Sequence, residues 1–414
     1  MPVSTPPLRV LLSDGSGLTA RQVATILGRA GHHVEALAGE PMPLVRLTRH
    51  ARRVHRTPAY GVDPWAWLDS ALDVLSRRRI DVLLPTQEQA ALLAREAAAV
   101  RALGVGLAVP PWPSLLRVQD KAAACATLDE LDLPQPPTTV VESPEGLLRA
   151  AEPPVFVKAS VGTASSAVVR VESDAELRAA ARALRGTAVV QRPIAGPLAM
   201  IQAVFRHGEL IAWHANLRVR EGLSGGASHK LSVHPEGIEG HLARLGRALG
   251  WHGALSLDAI LEDGEPLYID VNPRLVEPGN ALRAGLDLTD LMLRISLELQ
   301  VEPGSSVGGI RTHQLLLALL GAARGGRRRV AREIRAALGR RSMYRDSREE
   351  LTPLRGDPVA GAALVGLASA LVVSPGLART LSTGAVSAYA LTPEAWQAIR
   401  AGRPGQPPAG GATR

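Results

Sequence analysis

Ala254-Leu255-Ser256-Leu257-Asp258-Ala259-Ile260-Leu261 and Pro266-Leu267-Tyr268-Ile269-Asp270-Val271-Asn272-Pro273-Arg274 flank the turn Glu262-Asp263-Gly264. Two apolar runs around a Gly-containing turn predict an antiparallel hairpin. Asp270 and Asn272 lie two residues apart, so they share one face of their strand. Antiparallel pairing brings Asp258 beside them. Two carboxylates and an amide oxygen form a hard, oxygen-only donor set suited to Mg²⁺. Close carboxylates repel, and a cation resolves the repulsion. The competing explanation is a surface hairpin with two solvated Asp residues and an Asn-Pro turn.

Working outward, the usage of basic residues is lopsided. The chain has three lysines, Lys121, Lys158 and Lys230, against 44 arginines. Where Arg supplies bulk positive charge, a retained Lys marks a place that suits a compact ammonium. Lys158 sits in Val155-Phe156-Val157-Lys158-Ala159-Ser160-Val161-Gly162-Thr163-Ala164-Ser165-Ser166, an apolar strand followed by a loop of small residues. Such a loop is a way to hold phosphate. Lys121 follows Asp120, which suits a helix start, and that helix is predicted to run to about Leu131. Val155–Val157 with Ala167–Val171, and Ala199–Phe205 with Leu210–His214, read as two further hairpins. Val189 to Ile194 reads as a strand, with a helix over Asp174–Leu184 before it.

The first third alternates strands and helices. Strands are predicted at Arg9–Leu12, His33–Leu37, Ile80–Pro85 and Val105–Pro110, with helices at Thr19–Ala30 and about 64–78 and 87–102. That alternation argues a parallel sheet with right-handed crossovers. Gly15-x-Gly17-x-x-Ala20, with Glu35 downstream, imitates a dinucleotide fingerprint and supports an alternative, a nicotinamide-dependent oxidoreductase. Antiparallel hairpins after parallel units imply at least two domains.

Composition describes a globular protein with 46% hydrophobic and 21% charged residues. A net charge of +8 is modest at this length and does not argue for nucleic acid. Cys125 is the single cysteine, so no intramolecular disulfide forms, which fits a reducing, cytoplasmic setting. No secretory leader and no membrane span are expected.

The order Gln-Asp-Lys, Pro-rich connector, Phe-Val-Lys with a small-residue loop, hinge strand, and Asp…Asp-x-Asn-Pro-Arg resembles the ATP-grasp superfamily, its carboxylate–amine ligase branch in particular. It is also similar to biotin carboxylase and carbamoyl-phosphate synthase. The resemblance covers roughly residues 8 to 300. It implies an α/β and α+β multidomain chain. A Rossmann-like domain over 1–117 would precede a lid over 118–190 and a central subdomain over 191–302. A mostly helical region over 303–402 and a disordered tail over 403–414 would follow. The implied cofactors are ATP and Mg²⁺ (or Mn²⁺).

The resemblance also implies roles. Lys121 and Lys158 would hold the phosphates, and Gly162, Thr163, Ala164, Ser165 and Ser166 would form the loop closing over them. Gln191, Arg192, Pro193 and Ile194 would form the hinge that meets adenine. Asp258, Asp270 and Asn272 would bind the metal, and Arg274 would be the catalytic arginine. Arg218, Arg220, His229 and Lys230 would form a basic cluster at the phosphoryl acceptor. The implied reaction turns a carboxylate into an acyl phosphate and couples it to an amine or related nucleophile. A nucleotide-binding scaffold without turnover is the alternative of another class. Two departures from the family pattern stand out: Asp270 where many members have Glu, and Pro197-Leu198 where many have a ribose-binding acid.

The remaining sequence is read by composition. Pro303–Gly309 is expected to be a linker and Arg311–Leu320 a helix. Arg324–Arg348 holds ten arginines and two acids, a solvated basic helix or a docking face for an acidic protein partner or RNA. Val359–Val373 is too short to span a bilayer and reads as a buried or interface helix. A homodimer is the expected assembly.

Overall fold

Val10, Leu11 and Leu12 are fully buried in β1 (Arg9–Leu12), as expected of a strand covered on both faces. This is a computed structural model, and it describes residues 6–162, 168–222, 225–351, 356–381 and 389–405. Beside β1 lie β2 (His33–Ala38), β3 (Ala51–Arg56) and β4 (Val82–Leu84), all parallel, in the order β3-β2-β1-β4. Helices Leu18–Arg29 and Pro64–Arg77 make two of the crossovers. β3 was not foreseen. Its residues, Ala-Arg-Arg-Val-His-Arg, lack an apolar run, which an edge strand tolerates. The strand expected at Val105–Pro110 reduces to one bridge, Gly106 to Val82. There the backbone runs so close to the Ser296 carbonyl that a Cβ on Gly106 would come within 2.6 Å of it.

A second sheet is antiparallel and carries its own core. It comprises β5 (Thr138–Val141), β6 (Val155–Ala159), β7 (Val168–Val171) and β8 (Ala188–Gln191), in the order β5-β8-β6-β7. Helices Pro144–Ala150 and Asp174–Ala183 each begin at a serine cap, Ser143 and Ser173, and bury Leu147 and Leu177 against Val157 and Val171.

The largest sheet has eight strands. It runs β13-β12-β9-β10-β11-β15-β16, with β14 pairing β10 off the end of β11. The strands are β9 (Leu198–Arg206), β10 (Glu209–Glu221), β11 (Ala227–Val233), β12 (Gly253–Glu262), β13 (Glu265–Asn272), β14 (Gly304–Ser305), β15 (Arg311–His313) and β16 (Ser347–Glu349). Two expectations are corrected here. Arg311–His313 is strand rather than helix, because its backbone pairs with His229–Leu231, and the helix starts only at Leu315. Pro303–Gly309 is not a bare linker: it supplies β14, and buried Ser306 shares a 2.7 Å hydrogen bond with His214 Nδ1.

The C-terminal elements join the rest of the molecule. Helices Leu315–Ala323, Arg327–Leu338 and Pro358–Val373 share an apolar core. Helix Pro393–Ala401 returns to the first unit, where Trp396 meets Trp112 edge-on at 5.8 Å. No helix among the described residues is long and apolar enough to cross a membrane.

Trp396 is 3% exposed. Its replacement by alanine should cost about 3–5 kcal/mol, read by urea unfolding. A loss below about 1 kcal/mol would show that this helix is only loosely attached.

Candidate functional site

The site forms where the four-stranded antiparallel sheet β5–β8 meets the end of the hairpin β12–β13. Asp258 and Asp270 are directly opposed across that hairpin, with a register shift just beyond them. Like charges facing each other on adjacent strands are unfavourable. Desolvation, reinforced by the Asp270 charge, pushes the Asp258 carboxyl up to about 7. Among the described residues no basic group lies within 4.0 Å of Asp258. Asn272 ends β13 at the register position opposite Ser256.

Both lysines of the lid side arrive at this hairpin. Asp120 caps the Lys121–Glu130 helix by accepting from Ala123 N–H at 2.9 Å. The Lys121 N–H donates to the Ser160 carbonyl at 2.9 Å, and Ser160 Oγ donates to Asp120 at 3.1 Å, so the helix start is tied to the end of β6. Lys121 Nζ then lies 3.2 Å from Asp270 Oδ1. Burial penalises its ammonium, but Asp270 outweighs that penalty and its pKa rises. Lys158 Nζ donates to Gln191 Oε1 at 2.7 Å and to the Ile269 carbonyl at 2.8 Å. Burial lowers the Lys158 pKa; Asp270 opposes that shift and the neighbouring Lys121 adds to it. Two ammonium groups and two carboxylates therefore converge on one spot.

The hinge differs from its expected form. β8 stops at Gln191, so Arg192, Pro193 and Ile194 lie in the connector to β9. The Gln191 side chain is used internally, between Lys158 and Thr138 Oγ1 at 3.1 Å. Gly196 then turns at φ +147°, and a Cβ there would sit 2.3 Å from the Leu261 carbonyl. Gly162 ends the described part of the small-residue loop. Thr163, Ala164, Ser165 and Ser166 lie outside the described residues.

The basic cluster splits apart. In a regular strand Arg218 and Arg220 would share a face, but β10 has register shifts between them. Arg218 lines a cavity of about 470 Å³ that also touches Asp258, Asp270, Asn272 and Arg274. Arg220 turns to Glu333 and forms a two-pronged ion pair at 2.7 and 2.8 Å, which raises its pKa. His229 packs edge-on against Tyr344 at 4.9 Å, and burial drives its pKa down to about 4. Lys230 borders the cavity, but its ammonium is held by Glu277 at 2.7 Å and Glu350 at 3.0 Å. Sequence-distant acids and rings thus engage Arg220, His229 and Lys230. Glu333 lies in the Arg324–Arg348 stretch, so that stretch is in part an internal clamp rather than a free basic face.

Several contributors were not foreseen. Glu88 accepts from Arg274 Nε and Nη2 at 3.2 and 3.1 Å and so orients that guanidinium. Gln87 and Thr19 line the cavity from the first unit, and Tyr389 from the C-terminal part. A usable signal existed for Glu88: Thr86-Gln87-Glu88-Gln89 is a polar run just past the carboxyl end of a parallel strand, where ligands bind in open α/β sheets. The dinucleotide fingerprint has a packing explanation instead. A Cβ at Gly15 would press Val45 at 2.6 Å, one at Gly17 would press Gln87 at 2.3 Å, and Glu35 is engaged by Arg78 and His55, each at 2.6 Å.

Oxygen donors facing one another, with one carboxylate lacking a cation, fit a divalent ion. Residues 118–278 match the family model of the ATP-grasp domain. No curated protein matches the chain in sequence. Three solved structures share its architecture. The biotin carboxylase domain of Hydrogenobacter thermophilus 2-oxoglutarate carboxylase, a dimer with MgADP, ADP and bicarbonate, gives a TM-score of 0.60 at 18% identity over 73% of each chain. N5-carboxyaminoimidazole ribonucleotide synthetase from Thermus thermophilus gives 0.55 at 20%, over 73% of this chain and 81% of that one. L-amino acid ligase from Bacillus licheniformis gives 0.51 at 18%, over 72% and 76%. At such identities the likeness is one of fold.

Two outcomes follow from the charges. Lys230 is 2% exposed, and Lys230→Met leaves two carboxylates buried without their cation. This should cost about 3–5 kcal/mol of stability in denaturant titration. Asp258 has its folded pKa raised to about 7, so between its ordinary value and about 7 the folded chain binds more protons than the unfolded one. Its contribution to stability is therefore present at low pH and lost as pH rises through about 7. Thermal melting of the metal-free protein across that range should show a steeper decline for the wild type than for Asp258→Asn. Equal slopes would place the titration elsewhere.

Proposed function

We propose, from the match of residues 118–278 to the ATP-grasp domain, that the protein is an ATP-dependent ligase. It activates a carboxylate as an acyl phosphate and couples it to an amine or related nucleophile. The observation that carries this reading is the meeting of Lys121 and Lys158 with Asp258 and Asp270 at the end of one hairpin. Phosphoryl transfer needs little covalent help from protein. It needs alignment and cancellation of charge.

Lys121 and Lys158 present point charges to the phosphates. Asp258, Asp270 and Asn272 would hold Mg²⁺, which would supply Lewis-acid charge at the phosphate oxygens. Arg274, held by Glu88, offers donors where negative charge accumulates. An oxygen of the substrate carboxylate attacks the γ-phosphorus, and the bond to the β-phosphate oxygen breaks to release ADP. The nucleophile then attacks the acyl carbon, loses a proton and expels phosphate. The loop containing Gly162, Thr163, Ala164, Ser165 and Ser166 would cover the phosphates and keep water from the acyl phosphate. Gln191, Arg192, Pro193 and Ile194 would meet adenine. We place the protein in the cytoplasm as a homodimer acting on small molecules, and assign no partner to the arginine-rich stretch.

Lys158→Ala and Asp270→Ala should each lower ATP-dependent ADP release at least a hundredfold while the fold persists by circular dichroism. The assay uses a panel of carboxylic acids with amines. Turnover within a few fold of wild type in either variant would remove that residue from the machinery. Nucleotide binding without turnover on any pair would favour a non-catalytic nucleotide-binding scaffold.

A further inference from the structure

The cavity at the candidate site continues well past the carboxylates. Its lining includes Asp258, Asp270 and Asn272 at one end, but not Lys121, Lys158 or Gln191. The cavity therefore shares the three proposed metal-binding residues with the phosphate grip and extends away from its lysines. Much of the remaining lining is aliphatic, beside polar Thr19, Gln87, Asn216 and Glu277. Leu44 and Leu47 come from the short helix Leu44–Leu47, Leu317 and Leu320 from helix Leu315–Ala323, and Leu364 and Leu367 from helix Pro358–Val373. Three separate elements thus contribute leucines to one surface, at a size of about 470 Å³ that matches the range of small-molecule sites.

The charges along the same cavity differ in availability. Lys230 is held by two glutamates, Arg21 is buried, and Arg274 uses Nε and Nη2 on Glu88 with the rest of its fork reserved for the role given above. Arg218 donates from Nη1 to the Gly225 carbonyl at 2.7 Å and has Glu221 at 4.0 Å, which leaves donors of its fork for a ligand. Leu317, Leu320 and Leu364 are largely buried in the core of the C-terminal helices, while Leu44, Leu47 and Leu367 are half-buried, and a small polar acid would leave this apolar part of the lining unfilled. A substrate with an apolar body would take that surface out of water.

We propose that the activated substrate is a carboxylic acid with an extended aliphatic body, its carboxylate at Arg218 beside Asp258 and Asp270 and its chain along the leucine wall. The assignment rests on the ligase reading for the identity of the head group, and the test separates the two. Straight-chain carboxylates from acetate to octanoate are titrated calorimetrically into the full-length protein saturated with MgADP. Affinity should rise about three- to fourfold per methylene until the wall is covered. Leu367→Gln and, from a different element, Leu47→Gln should each flatten that dependence while MgADP affinity stays unchanged. Arg218→Leu should weaken all acids by about tenfold or more without changing the slope. A flat series, tighter binding of succinate or aspartate than of octanoate, or a chain-length gain for alkylamines but not carboxylates would each overturn the proposal. Hydroxamate formation with hydroxylamine as nucleophile tests the ligase reading separately. If none forms from any acid while the binding series keeps its slope, that reading falls and the aliphatic-acid pocket stands.

Discussion

Two carboxylates, Asp258 and Asp270, face each other across adjacent strands, and this like-charge contact organises the structure around it. Hydrogen bonding between β12 and β13 holds them together against their repulsion, so opposite charge must come from elsewhere. Lys121 supplies part of it from a helix start tied to the lid sheet, and Lys158 braces the same hairpin through the Ile269 carbonyl. The sheet β5–β8 is thereby joined to the largest sheet through charge as well as through chain connectivity.

The remaining cations show how sparingly the fold leaves charge unpaired. Glu88 holds Arg274, Glu277 and Glu350 hold Lys230, and Glu333 holds Arg220. All four of these acids lie at least 47 positions from the residue they serve. Buried charges need such partners because desolvation is costly without them. The C-terminal part therefore belongs to the site: it provides Glu333 and Glu350, four of the six wall leucines and Tyr389.

The hairpin pattern, the strand carrying Lys158 and the helix opened by Asp120 were legible because each depends on local rules: period-two alternation, turn residues and a capping side chain. The convergence of Asp258 with Asp270 was legible for the same reason, since one short turn sets their register. Other features escaped. Arg218 and Arg220 look equivalent in sequence, but irregular pairing with β11 sends one to the cavity and the other to Glu333. β3 was hidden by its arginines, and Arg311–His313 looked helical until its backbone met β11. Glu88 is an ordinary acid in sequence and acquires its role by meeting a guanidinium 186 positions away.

Local pattern was enough for most of the elements, for the opposed carboxylates and for the two lysines that stand where the chain otherwise uses arginine. These follow from local stereochemistry and residue choice. Only the tertiary structure decided which cations stay available, which are neutralised, and what the cavity beyond the carboxylates is lined with. Those outcomes depend on contacts between residues far apart along the chain, and no local pattern encodes which side chain another will meet.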